Sequence, residues 1–253
     1  MVTFEVDALA GGRISSLRVN GHEVLWTDRT GGALAWGAYP MVPYAGRVRH
    51  GRFSFAGRRY ELPVNLGAHA IHGSGFVTSW DVEPDGTMVH ELPWVFGGVA
   101  RHRVRYGAAD SITASLEVTN DHRAMPAQVG WHPWFRRPVT LQFAAGAMYR
   151  RDADGLPDGT MLRPPPPGPY DDCFTDVDQP LRLDGASGST LALSSSCDHW
   201  VIYDEPRHAL CAEPQSGPPD AFNQGPYIVE PGRPLVASFT IAVVAGPSPC
   251  APP

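Results

Sequence analysis

Six polar residues of this 253-residue chain stand at the edges of apolar or aromatic stretches, where side chains can meet a ligand. They are Arg47 in PYAGRVRHGRF, His72 in AHAIHGSG, His132 in VGWHPWFRR, Asp171 and Asp172 in PYDDCF, and Glu213 in HALCAEP. Arg47, His72, His132 and Glu213 each have a plain structural reading: surface arginine, turn histidine, satisfied core histidine, solvated strand cap. Two chemistries find little support. His69 and His72 are three apart but lie in a glycine-rich turn, no HExxH occurs, and no third and fourth ligand stands at plausible spacing, so no metal is expected. No G-x-S-x-G elbow is present, and the four cysteines are scattered, with no CxxC pair. Glu213 is the most informative. Strand alternation puts it on one face with Ala209 and Cys211, and Leu210 with Ala212 on the other. Pro214 lacks an amide proton, so the strand is expected to stop at the carboxylate. Small side chains beside it leave room for a sugar-sized ligand, and Trp131 and Trp134 offer aromatic faces of the kind that pack on a pyranose ring.

Short period-two segments surround these residues. SLRVNGHEVL (16–25) reads as a hairpin about Asn20-Gly21, a dipeptide that tolerates the positive φ of a type I′ turn. RFSFAGRRYEL (52–62) repeats the arrangement about Ala56-Gly57, and SWDVEPDGTMVHEL places Pro84-Asp85-Gly86 between two strands. A longer hairpin over 101–120 puts Ile112, Ala114, Leu116 and Val118 on one face. STLALSS, HWVIYDE, HALCAE and LVASFTIAVVA (235–245) complete a set of short strands, and no window shows a helical period. The pattern predicts an all-β chain, a large antiparallel β-sandwich forming one domain over 1–253. RPPPPGPY (163–170) is expected to be a stiff connector that positions the following DDCF, and the tail GPSPCAPP is expected to fray.

Bulk composition narrows the partners. All 20 basic residues are arginine, the net charge is −6, and no basic tract offers a footprint for nucleic acid. No apolar run reaches the length of a membrane span, and MVTFEVDALAGG lacks the basic and apolar regions of a signal peptide. The expectation is a cytoplasmic protein with reduced thiols, a monomer or homodimer that binds a small molecule.

Taken in order, GRVRHGRFSFAGRRYELPVNLGAHAIHG, GWHPWF, YDDCF and EPQSGPPDAFN resemble the aldose 1-epimerase (galactose mutarotase) superfamily, from about Arg47 to Asn223. The resemblance implies a large β-sandwich with a sugar site on its concave face. It places the substrate-binding arginine on Arg47, an active-site histidine on His72, the proton-donating histidine on His132, the hydroxyl-holding aspartate on Asp171 beside Asp172, and the catalytic glutamate on Glu213. The chain departs from the galactose mutarotases at Gly46, where they carry asparagine, at Gly130-Trp131, and at HGSG in place of HGG. These changes touch the sugar pocket more than the acid–base residues.

The implied reaction interconverts α and β anomers without a cofactor. Glu213 takes the C1 hydroxyl proton, a protonated His132 (its charge favoured by nearby carboxylates) donates to the ring oxygen, and His72 assists there. Arg47 and Asp171 hold hydroxyls. Three rivals stand beside this one. A hexose-6-phosphate epimerase would use Arg49, Arg52 or Arg136 at the rim, a carbohydrate-binding module would hold sugar without turning it over, and a glycosidase would pair Asp171 with Glu213.

Overall fold

The computed structural model describes residues 1–185 and 188–244. Alternating strands bury one face each, and two such faces close a core between them. A ten-stranded antiparallel sheet here packs against an eight-stranded one. The larger runs through Val2–Asp7, Arg13–Val19, Ala38–Met41, Gly130–Arg136, Ala209–Gln215, His199–Tyr203, Asp171–Val177, Ala145–Arg151 and Pro157–Leu162, with His22–Glu23 attached to Arg13–Val19. The smaller runs through Val139–Gln142, Leu181–Gly185, Thr190–Ser195, Leu235–Val244, Ser111–Thr119, Val99–Tyr106, Met88–Glu91 and Asp81–Val82. Among the described residues α-helix is confined to Ala221–Gln224, and no helix is long and apolar enough to cross a membrane.

Leu17, Phe135, Phe174, Trp200 and Leu210 of the larger sheet meet Phe239 and Ile241 of the smaller, together with Ile112, Ala114, Leu116 and Val118 as the alternation predicted. The predicted hairpins form. Asn20 and Gly21 turn with φ of 51° and 83°, and Ala56 and Gly57 with 49° and 73°. The proline segment 163–170 is neither strand nor helix and joins two strands of the larger sheet, Pro157–Leu162 and Asp171–Val177. The tail lies outside the described residues.

Two expectations fail in the strands themselves. The strand carrying Glu213 does not stop there: Ala209–Gln215 runs through Pro214 at the centre of the sheet. Its pairing with Gly130–Arg136 is made at Gly130 with Gln215 and at Trp134 with Cys211, and is interrupted between. Pro133 and Pro214 both fall in that gap, so neither missing amide proton breaks a ladder bond between these two strands. Gly130 permits this close crossing, since a Cβ there would lie 2.6 Å from the Pro214 carbonyl oxygen. The second correction is Trp131. It follows the opposite parity from His132, is fully buried in the inter-sheet core, and donates its Nε1–H to His102 Nε2 at 3.1 Å. It has no face to offer a ligand.

Candidate active site

The face of the larger sheet turned away from the inter-sheet core bears a cavity of about 320 Å³. Arg47, His72, His132, Trp134, Asp171 and Glu213 all line it, so six of the eight residues singled out above converge. The register fixed by Gly130 with Gln215 and Trp134 with Cys211 sets His132 opposite Glu213 on neighbouring strands. Their side chains share a face, and His132 Nε2 lies 3.2 Å from Glu213 Oε1.

Ring stacking holds His132 in its plane. Tyr39 lies on one side of the imidazole with centroids 4.9 Å apart, and Trp134 stacks at 5.1 Å and 13°. Beneath Tyr39 the buried Arg13 guanidinium sits 5.1 Å from the ring, itself tied to the carbonyls of Trp36 and Phe76. Ala209 and Cys211 pack into this aromatic cluster and do not line the cavity; the small residues make room for rings rather than for the ligand directly.

Burial sets the charge states. Desolvation pushes His132 down to about 3, and it moves Glu213 well above the ordinary carboxylate range, with Asp171 adding to the upward shift. The expected imidazolium is thus not the resting form, because loss of water dominates and the Arg13 charge adds to it. Both shifts favour the uncharged forms, so a single proton shared by the pair sits on the carboxyl. Gln215, two residues on and on the same face, donates Nε2–H to Glu213 Oε2 at 3.3 Å. Among the described residues His132 Nδ1 has no hydrogen-bond partner.

His72 enters from the end of a short ribbon, Arg47–Val48 paired with Ala70–Ile71. Its backbone is left-handed (φ 60°), and its Nδ1 accepts the Gly46 N–H at 3.2 Å. Burial foremost, then His132 and Arg47, holds its pKa well below the usual value, so the ring is neutral with its proton on Nε2. Gly46, where the resemblance expected asparagine, is itself left-handed (φ 67°), and a Cβ there would sit 3.1 Å from Pro219.

One ligand atom from each of His72, His132 and Glu213 lies within 4.8 Å of the others, close enough to suggest a metal. The donor chemistry does not fit. A metal on His72 Nε2 would move the ring proton to Nδ1, against the Gly46 N–H that points there.

Asp171 faces the cavity between two arginines, with Oδ2 3.5 Å from Arg47 Nη2 and 3.1 Å from Arg151 Nη1. Desolvation still raises its pKa, against the pull of both cations. Asp172, by strand alternation, turns to the other side and does not line the cavity; its Oδ1 takes Arg151 Nε at 2.8 Å. The expected direct contact with ligand is corrected to an orienting one. Sequence reading missed Arg151, Gln215, Tyr149, Tyr203 and Glu205, all of which line the cavity. Gln215 was findable, because a residue two beyond Glu213 on a strand must share its face.

Comparisons with known proteins agree with this picture. The family model described as Aldose 1-epimerase matches residues 8–242. The Escherichia coli K12 protein YphB, uncharacterized, is 34% identical over 132 residues, a match spanning 45% of this chain and 44% of that protein. A putative aldose 1-epimerase from Escherichia coli K12 superposes with a TM-score of 0.85 at 23% identity, covering 96% of each chain. A galactose 1-epimerase from Lactobacillus acidophilus NCFM superposes at 0.81 and 16% identity, covering 97% of this chain and 92% of that one. At these identities the structural likeness speaks for the fold.

Proposed function

The chain belongs to the aldose 1-epimerase family, and from that premise we propose that it interconverts the α and β anomers of an unphosphorylated aldose. The observation that carries the reading is the His132–Glu213 contact of 3.2 Å in the wall of a sugar-sized cavity.

Ring opening removes the C1 hydroxyl proton, forms the C1 carbonyl, breaks the bond from C1 to the ring oxygen and protonates that oxygen. The substrate stays neutral throughout, so the catalyst needs one proton and one vacancy. A buried pair holding a single proton has both. With Glu213 as base and His132 as acid, the proton first crosses from the carboxyl to the imidazole over their 3.2 Å contact, and ring opening returns the pair to carboxylic acid and neutral imidazole. That is the form desolvation favours, so ring opening relaxes the pair. Rotation about C1–C2 presents the other carbonyl face, and the same steps in reverse close the ring. His72 offers Nε2–H toward the ring oxygen, Arg47 and Asp171 hold hydroxyls, and Trp134 packs on the C–H face.

Charge favours a free sugar over a sugar phosphate. Arg49 is held by Asp152 and Asp154, Arg52 by Glu61, and Arg136 lies over Trp26; none of the three lines the cavity. Glu205 does line it, and the two arginines that line it, Arg47 and Arg151, are both paired with Asp171.

Saturation-transfer NMR or polarimetry on freshly dissolved α-D-glucose and α-D-galactose, each with its 6-phosphate, tests the reading. Glu213→Gln should slow exchange by a factor of about 10²–10⁴ in a folded protein. A Glu213→Gln protein that equilibrates anomers as fast as the parent would sink it.

A further inference from the structure

Arg47 and His72 reach the cavity from the ribbon of Arg47–Val48 and Ala70–Ile71, whereas Gly155 and Pro157 line it from the turn between Ala145–Arg151 and Pro157–Leu162. No strand pairing joins that ribbon to that turn among the described residues. One side chain does. The Arg49 guanidinium places Nη2 2.6 Å from Asp152 Oδ2 and Nη1 2.8 Å from Asp154 Oδ2, a fork spread over two carboxylates of the turn. Its own backbone is fixed too: the Arg49 N–H donates to Asp220 Oδ1 at 2.9 Å, and the Asp220 N–H donates to the Arg47 carbonyl at 2.7 Å.

The carboxylate that Arg49 grips also shapes the turn. Asp152 Oδ1 accepts the N–H groups of Asp154 and Leu156 at 2.9 and 3.2 Å. The charges then close into a circuit. Arg47 meets Asp171, Asp171 meets Arg151, Arg151 precedes Asp152, and Asp152 meets Arg49, two residues from Arg47. Each pair is partly exposed and weak alone, yet a fork shared between two carboxylates within a network is the case in which such pairs hold geometry.

We propose that Arg49 is a positioning residue for sugar binding, a latch that holds the turn 152–157 against the Arg47 ribbon so that the cavity is preformed. The proposal rests on the reading that this cavity takes an aldose. Without the latch, the sugar must order the turn as it binds, which lowers affinity. His132 and Glu213 lie on central strands of the sheet, so the proton transfers keep their geometry once the sugar is seated.

The test uses the full chain with Arg49→Gln, Arg49→Lys and the gentler Asp154→Asn. Three measurements are made on each: anomer exchange against sugar concentration, binding of D-glucose and D-galactose by tryptophan fluorescence, and amide hydrogen exchange over 152–157. For Arg49→Gln, KM should rise about five- to tenfold with kcat within about twofold, the signature of lost ground-state binding. Exchange at the Gly155 and Leu156 amides should quicken, Asp154→Asn should show a smaller change of the same kind, and Arg49→Lys should recover part of the loss. Unchanged KM and unchanged amide exchange overturn the proposal, as does a fall in kcat with KM intact. If the parent turns over neither sugar while Arg49→Gln still weakens sugar binding and loosens the turn, the epimerase reading falls and the latch stands.

Discussion

Two buried histidines sit back to back in this protein, and they are provisioned in opposite ways. His102 lies in the inter-sheet core with no exposed surface; its Nδ1–H donates to the Gly12 carbonyl at 2.9 Å and its Nε2 accepts from Trp131 at 3.1 Å. Every polar atom of that ring is used. His132, the residue after Trp131 and on the other face of the same strand, keeps one nitrogen against Glu213 and leaves the other unpartnered. Burial depresses both, His102 to about 4 and His132 to about 3. A low pKa therefore does not separate a structural imidazole from a working one; the completeness of its hydrogen bonding does. Of the two imidazoles, the unsatisfied buried nitrogen falls on the one in the cavity wall and not on the one in the core.

Exchanging the two losses gives the largest contrast. His132→Leu should cut anomer exchange by a factor of about 10²–10⁴ while thermal unfolding stays near the parent's. His102→Leu should do the reverse. It strands the Trp131 N–H and the Gly12 carbonyl in the core, at about 1–3 kcal/mol for each unsatisfied group, while kcat per folded molecule holds. Urea unfolding beside activity assays measures both. Loss of stability in His132→Leu equal to that in His102→Leu would erase the distinction.

Proton linkage sharpens the comparison further. His102 binds its proton below about 4 when folded and below 6.5 when unfolded, so the unfolded chain holds the extra proton between these values. Stability from this residue is intact above pH 6.5 and falls as pH drops toward 4, by about 3 kcal/mol. The His132–Glu213 pair behaves differently. Folded, it holds one proton; unfolded, its members titrate at 6.5 and 4.5, so between those values both states hold one. In that window the pair contributes no slope. Urea midpoints between pH 6.5 and 4.5 should thus decline less in His102→Leu than in the parent. The same slope in His102→Leu as in the parent would refute the assignment.

Much of the larger plan was legible because it is periodic. Hairpins at Asn20-Gly21 and Ala56-Gly57, the buried face of Ser111–Thr119, and the strand bearing Glu213 all follow from alternation and turn chemistry. The errors came from not applying alternation strictly. Trp131 cannot share a face with His132, nor Asp172 with Asp171, on unbroken strands. Other features were invisible for physical reasons. The gap that tolerates Pro214 depends on Pro133 in a strand about eighty residues away, and the Arg49 fork joins residues more than a hundred positions apart. Charge states were hidden as well, because the sequence does not show the desolvation that governs His132.

The smallest effect comes from the two tryptophans that flank His132. Trp131→Leu should lower stability with KM unchanged, because its ring faces Phe239 across the core. Trp134→Leu should raise KM about three- to tenfold by removing an aromatic face from the cavity, and should lower kcat too, since the ring also fixes the plane of His132. Trp134→Phe divides these roles. Among the described residues no hydrogen-bond partner lies within 3.5 Å of the buried Trp134 Nε1, so phenylalanine forfeits little and keeps a stacking surface. Its kcat should stay within about twofold of the parent, with only a modest rise in KM from the smaller face. Steady-state anomer exchange on the two variants decides it. If Trp134→Phe loses as much kcat as Trp134→Leu, then stacking is not what orients His132, and the indole N–H must find a partner once sugar enters the cavity.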